Sequence, residues 1–330
     1  MSFRPLRLYS GQAPGEIFLS PAAVDRRRRI FEQTAKTERQ HRMIYVLLAI
    51  FASGILPVVF RAFDGWRVNV FWAIPANYLT CVFVGSLLTG ESLTPSVLRS
   101  QPWVLFAALQ GLILAVSFYL LAHTAQRVGV AIASLANRLS VAIPSLLAFS
   151  LYGDSLTVTK GAGLSTALLA LYLCTAPDRR TRAANSNLLQ LSPIVLFLTF
   201  GCYFTILKYL QTYYLTEASY HSYVMSAFVF ALLSSIVIGA AKGVFTSADF
   251  RLRHLGTGIF LGVINYAAVY ALLKVLALEG WESSQLFPIY SVGVVAVSSL
   301  LAALIFKEKL SRQKTVGLVV GMAAVALLNR

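Results

Sequence analysis

From Met43 onward the chain is a succession of apolar runs, each near the length that carries a helix across a bilayer, about 20 residues. Ten can be drawn, at about 43–61, 69–89, 102–124, 128–151, 158–175, 192–211, 219–241, 255–278, 284–306 and 314–329. Inside hydrocarbon every backbone N–H and C=O must find its partner within the protein, which leaves helices or closed barrels. None of the runs alternates in the manner of a barrel strand, so the pattern predicts an all-α membrane protein of ten transmembrane helices. Composition agrees: 57% of the 330 residues are apolar and 12% charged, where a soluble chain is roughly a quarter charged. A soluble two-domain enzyme is excluded, and the expectation is a multi-pass protein of a bacterial inner membrane.

The net charge of +15 invites a nucleic-acid reading, but its distribution opposes one. Residues 1–42 form a polar, basic tail with nine Lys/Arg and four Asp/Glu, helix-prone from Ala22 to Arg42. Most of the remaining excess sits in short loops between apolar runs, where membrane topology places basic residues. No aromatic-interleaved basic surface lies outside the runs, so no nucleic-acid partner is expected. Cys81, Cys174 and Cys202 each fall inside an apolar run without C-x-x-C spacing. They read as small buried core residues and not as disulfides or metal ligands. No cofactor or metal motif is visible.

The chain also resembles itself. Leu151–Leu164 reads LYGDSLTVTKGAGL, and Ile305–Leu318, 154 positions on, reads IFKEKLSRQKTVGL. Asp154 matches Glu308, Thr157 matches Ser311, Lys160 matches Lys314 and Gly163 matches Gly317. Tyr119, His123, Gly129 and Leu135 align with Tyr270, Lys274, Gly280 and Leu286 at an offset of 151. Gly54 and Arg61 align with Gly201 and Lys208 at 147. The register predicts two five-helix units, 43–175 and 192–330, joined by a polar linker at 176–191. Copies with an odd number of spans must be inverted with respect to each other, which is the architecture of secondary transporters.

The ten runs and the paired acidic turns, Tyr152–Thr157 and Phe306–Ser311, resemble the drug/metabolite transporter superfamily, in particular its EamA-like members. The resemblance covers nearly all of 43–329. The second turn departs from the first, with Lys307 where the first has Gly153. What the resemblance implies is a two-repeat transporter or exporter of small metabolites, with the cargo unspecified.

Charged groups deep in a bilayer cost several kcal/mol, so each marks a functional candidate. Arg138 lies about ten residues into the fourth run, and Ser134, Asn137, Val141 and Ser145 share its helical side, with Pro144 nearby. Pro144 removes a backbone donor and is expected to open the helix there. The functional reading makes Arg138 the ligand of a carboxylate or phosphate on the cargo, with Asn137 and Ser134 beside it. The structural alternative has it held by carbonyls or a hidden carboxylate.

Lys208 and Lys274 stand near span ends, where lysine also snorkels. They are candidates of the second rank, with Tyr203, Tyr290 and Gln285. Asn265, Tyr209 and Tyr266 are further lining candidates. His123 is the candidate for proton handling. No acid lies plainly mid-span, which favours anionic, zwitterionic or neutral cargo over cations.

A membrane-embedded enzyme acting on lipid-linked substrates would need clustered carboxylates or histidines, and His41, His123, His221 and His254 are scattered. A channel would need a filter-like loop. The expectation is therefore a transporter of a small molecule and not an enzyme. The pairs Gly258/Gly262 and Gly317/Gly321 have helix-packing spacing, used either within one bundle or between two copies, so monomer and homodimer both stay open.

Overall fold

A computed structural model describes residues 21–90, 101–140, 142–144, 147, 158–175, 187–245, 250–277, 283–307 and 311–328. Among these residues the chain is helical without strands. The helices are α1 (Pro21–Gly65), α2 (Val70–Thr89), α3 (Val104–Arg127), α4 (Val130–Leu139), α5 (Val158–Thr175), α6 (Asn187–Tyr213), α7 (Glu217–Ala241), α8 (Leu252–Ala277), α9 (Ser283–Phe306) and α10 (Arg312–Leu328). Residues 1–44 form one unit by their contacts and residues 45–330 a second, compact one. The helix-prone part of the tail is helical from Pro21.

Six helices are long and apolar enough to cross a membrane: Met43–Gly65, Val70–Leu88, Val104–Arg127, Leu191–Leu210, Ser219–Ala241 and Leu252–Leu272. That count marks the chain as membrane-embedded and falls short of the ten spans drawn from sequence. Among the described residues the other helices carry shorter apolar stretches or none, such as Gly161–Ala170 in α5 and Tyr290–Phe306 in α9. The side-chain distribution follows the solvent. Leu79, Phe83, Leu87, Leu105, Val237, Leu304 and Val319 stand exposed, while Asn77, Gln110, Ser117, Ser134 and Asn265 are buried. Lipid replaces water outside, so large apolar groups face out and the polar groups are turned into the bundle.

Local sequence sets the helix ends. The Asn69 side chain accepts from the Phe71 N–H at 3.0 Å and starts α2. Thr216 and Ser219 form a reciprocal capping box before α7. Gly129, at φ +134°, makes the two-residue turn from α3 into α4, a conformation open only to glycine. Lys307, just after α9, has φ +52°. The residue standing at the Gly153 position of the first turn thus adopts the left-handed conformation a glycine would take without strain.

The closest packing runs along glycines. A Cβ on Gly258 would come within 2.5 Å of the Ala73 carbonyl oxygen, and one on Gly262 within 2.6 Å of that of Asn77. A Cβ on Gly111 would meet the Ala227 oxygen at 2.8 Å and the Ala231 nitrogen at 2.7 Å. Backbone therefore rests on backbone between α8 and α2, and between α3 and α7. Gly321 packs its α-carbon face on Leu135 of α4. The Gly258/Gly262 pair is consumed inside the bundle.

The contacts also sort the helix ends. Arg61 of α1, Gln126 of α3 and Phe306 of α9 meet at one end. There His254 Nδ1 accepts from the Asn69 N–H at 3.3 Å, and Trp72 stacks edge-on against Phe245 and Phe250. At the other end Trp103, just before α3, meets Tyr223 of α7, and Phe106 meets Tyr209 and Tyr214. The core is one large cluster through the middle and the Arg61 end. Toward the opposite end it divides into two satellites, one of Val46, Ala49, Ile50, Ala271, Tyr290 and Val294, the other of Trp103, Ala107, Leu210 and Tyr223.

Candidate functional site around Arg138

α4 is the central helix. It packs on α3, α5, α6, α9 and α10, and every residue from Val130 to Ala136 is buried. The Gly129 turn fixes where it starts, so the polar groups Ser134, Asn137 and Arg138 arrive within its last two turns. α4 ends at Leu139, the Ser140 carbonyl accepts at 3.1 Å from the Ile143 N–H in a tighter turn, and residues 142–144 are helical again. Pro144 has no N–H to offer that carbonyl in the ordinary helical pattern. The Ser140 hydroxyl turns back to the Asn137 carbonyl.

Arg138 is half-buried, with its guanidinium carbon 4.8 Å from the ring centroid of Tyr290 on α9. Such a placement over an aromatic face is attractive, by about 2 kcal/mol or more where water is excluded. Tyr290 is in turn held from α1, its hydroxyl 2.7 Å from the Ser53 hydroxyl with both side chains buried. Three helices thus meet through Ser53, Tyr290 and Arg138.

Among the described residues no carboxylate pairs with Arg138. Its Nε, the Asn137 Oδ1 and the Ser134 Oγ are buried without a hydrogen-bond partner. In a low-dielectric interior each unpaired group costs about 1–3 kcal/mol. Three of them on one helical side make an arrangement that a bound acceptor-and-donor ligand would relieve.

The other expected residues divide. Tyr203 of α6 packs edge-on against Phe200 and Phe204 of its own helix and lies within electrostatic range of Tyr290, of Gln110 on α3 and of Tyr220 on α7, so of the expected residues only Tyr290 is in contact with Arg138. Lys208, five residues further along α6, is rotated well away from Tyr203 and is exposed. His123 is also exposed, near the Arg61 end of α3. Asn265 pairs with Asn77 at 3.3 Å and serves the α2–α8 contact. Tyr266 stacks on Tyr270, and Tyr209 belongs to the cluster with Phe106, Tyr213 and Tyr214.

Lys274 and Gln285 fall on the backbones of α8 and α9, and their side chains lie outside the described residues. Val141, Ser145 and the turn Tyr152–Thr157 lie outside them too, as does the side chain of Cys174 on α5. Of the cysteines expected to be buried, Cys81 is, while Cys202 is exposed. A small apolar thiol meets no penalty on a lipid-facing side.

Ser53 and Gln110 are the groups that sequence reasoning passed over. Gln110 is an amide alone in the apolar run 102–124 and fully buried; the rule applied to Arg138 would have found it. Ser53 carries no such signal, since small hydroxyl residues are common in membrane helices.

No protein-family model matches the chain. It is similar to an uncharacterized protein of Haemophilus influenzae (strain Rd), 24% identical over 295 residues that make up 87% of this chain and 97% of that one. It is also similar to a protein of known crystal structure, with a TM-score of 0.55 and 14% identity over 87% of this chain and 96% of the other. That likeness concerns the fold.

Proposed function

We propose that the protein is a secondary transporter of the EamA-like kind within the drug/metabolite transporter superfamily, with ten transmembrane helices in two inverted five-helix repeats. It moves a small polar metabolite, anionic or zwitterionic, across a bacterial inner membrane by alternating access. The observation that carries this reading is Arg138: a cation on the central helix with no carboxylate partner among the described residues, beside two further unpaired polar atoms. A guanidinium stays charged and presents planar donors, which suits a carboxylate or phosphate. Tyr290, Tyr203, Asn137 and Ser134 complete the contact set, Lys274 and Gln285 are further candidates and His123 is the candidate for proton handling, while the exposed Lys208 stands apart from the site.

The packing supports the repeat. Advancing each helix by five elements exchanges the pair α2–α8 with α7–α3, and returns α2–α7, α4–α9 and α5–α10 to themselves, and all five pairs are in contact. The glycines repeat the relation residue by residue. Gly54 meets Val297 while Gly201 meets Ile143, and Gly258 meets Ala73 while Gly111 meets Ala227. For Gly54 and Gly201 the offsets are those of the sequence, 147 between the glycines and 154 between their partners; at the offset of 151 that relates α3 to α8, the match to Gly111 is Gly262, which rests on the Asn77 carbonyl oxygen of α2.

The test is uptake in proteoliposomes with a panel of acidic, zwitterionic and cationic metabolites, comparing wild type with Arg138→Ala and Arg138→Lys. Acidic or zwitterionic cargo should move, tenfold or more slowly in Arg138→Ala, with partial recovery in Arg138→Lys. Equal transport by wild type and Arg138→Ala would end the binding role.

A further inference from the structure

Arg61 and Lys208 are matched by the repeat yet stand in opposite circumstances. Arg61, near the end of α1, donates to the Gln126 carbonyl in the last turn of α3, and its guanidinium lies 6.0 Å from the Phe306 ring of α9. Gln126 answers by donating from Nε2 to the Phe60 carbonyl at 2.9 Å, and Asp64 stands 3.7 Å from Arg61. The last carbonyls of a helix lack intrahelical donors and carry its negative dipole end, so a cation there is held by charge and hydrogen bond together. One residue therefore ties α1 to α3 and α9 where the core is continuous.

Under the repeat Lys208 should do the same from α6 to the last turn of α8, at the opposite end. Instead it is exposed, and its ammonium bonds to none of the described residues. This is also the end where the core divides into the α1–α8–α9 cluster and the α3–α6–α7 cluster. The division separates α6 from α8, the two helices that a Lys208 bond would join.

We propose that Arg61 and Lys208 are alternating end latches: Arg61 closes its end in the conformation described here, and Lys208 closes the other end when the Arg61 end opens. The proposal rests on the alternating-access reading and adds the groups that hold each state. In the second state the Lys208 ammonium leaves the surface and donates to a carbonyl of the last turn of α8, while Arg61 releases Gln126. Neither residue touches the Arg138 site, so the latches set the balance of the two states and not the affinity of either one for cargo.

The test needs no cargo. In full-length protein with Cys81, Cys174 and Cys202 replaced by serine, a reporter is placed by Ala125→Cys, a fully buried position of the continuous core at the Arg61 end. The rate of N-ethylmaleimide labelling in liposomes then reports opening of that end. Arg61→Ala should raise the rate on the order of tenfold, as expected for loss of one charge-assisted hydrogen bond. Lys208→Ala should lower it by a similar factor, and the double variant should return toward the starting rate. Arg61→Lys, which keeps a donor and a charge, should recover most of the protection.

Residues that merely stabilise the bundle would shift both rates upward. An increase or no change in Lys208→Ala, or no increase in Arg61→Ala, overturns the proposal. If the rates move as expected while transport ignores Arg138→Ala, the latches stand and the binding reading falls. If transport needs Arg138 and the rates do not move, the reverse holds.

Discussion

A single methyl group on α8 gives a sharp test of the glycine contacts. At Gly262 the added Cβ would lie 2.6 Å from the Asn77 carbonyl oxygen and 2.6 Å from the Thr80 Cβ. Both are fixed parts of α2 and neither can swing aside as a flexible side chain would. Ordinary contact is about 3.5 Å, so the helices must part by roughly 1 Å. The same shift stretches the Asn265–Asn77 bond at 3.3 Å and the Cys81 contact to the Gly262 carbonyl at 3.5 Å.

Overpacking of that order costs about 1–3 kcal/mol. At Gly256, on the same helix, nothing lies within 4 Å of the added atom, and alanine there gains up to about 1 kcal/mol in helix propensity. Purified Gly262→Ala should therefore melt clearly below wild type when intrinsic tryptophan fluorescence is followed on heating in detergent, and Gly256→Ala should melt at or above it. Gly111→Ala, facing the α7 backbone, should follow Gly262→Ala. If all three variants melted together with wild type, the close α2–α8 and α3–α7 approaches would be wrong.

Ser53→Ala and Tyr290→Phe should each lower stability by about 1 kcal/mol, and the double variant should cost little more than either alone, since one hydrogen bond is removed in every case; a thermal double-mutant cycle reads this directly. Asn69→Ala removes the cap of α2 and should cost about 1 kcal/mol in the same melting assay. Lys307→Gly should stabilise by about 0.5–1 kcal/mol, because the left-handed backbone at that turn costs a lysine more than a glycine; a lower melting temperature would count against that strain.

The apolar runs placed the helices closely because hydrocarbon length and backbone satisfaction leave little freedom. Val70–Thr89, Val158–Thr175 and Ser283–Phe306 fall within a residue or so of the expected bounds. Arg138 was legible for the same reason, as a charge where hydrocarbon should be. Which way a residue faces was not. A soluble helix shows its buried stripe against polar residues, whereas a lipid-facing helix is apolar all round and the periodicity disappears. Cys202 and Lys208 could not be oriented from sequence for that reason. Nor could the meeting of Arg138 with Tyr290 be read, since it depends on how α4 and α9 cross, 152 positions apart in the chain.

The glycine seams carry a consequence for how such a chain can be cut. α2 is welded to α8 and α3 to α7, each time a helix from residues 43–175 with one from residues 192–330. The two segments of chain are therefore interleaved helix by helix, like the fingers of clasped hands, and 45–330 forms one compact unit. Either segment made alone would expose the glycine grooves meant for the other, and would offer them to a second copy of itself. Expressed together from separate messages, the segments would have to meet before either had finished packing, so a break between Thr175 and Asn187 tests assembly more severely than it tests stability.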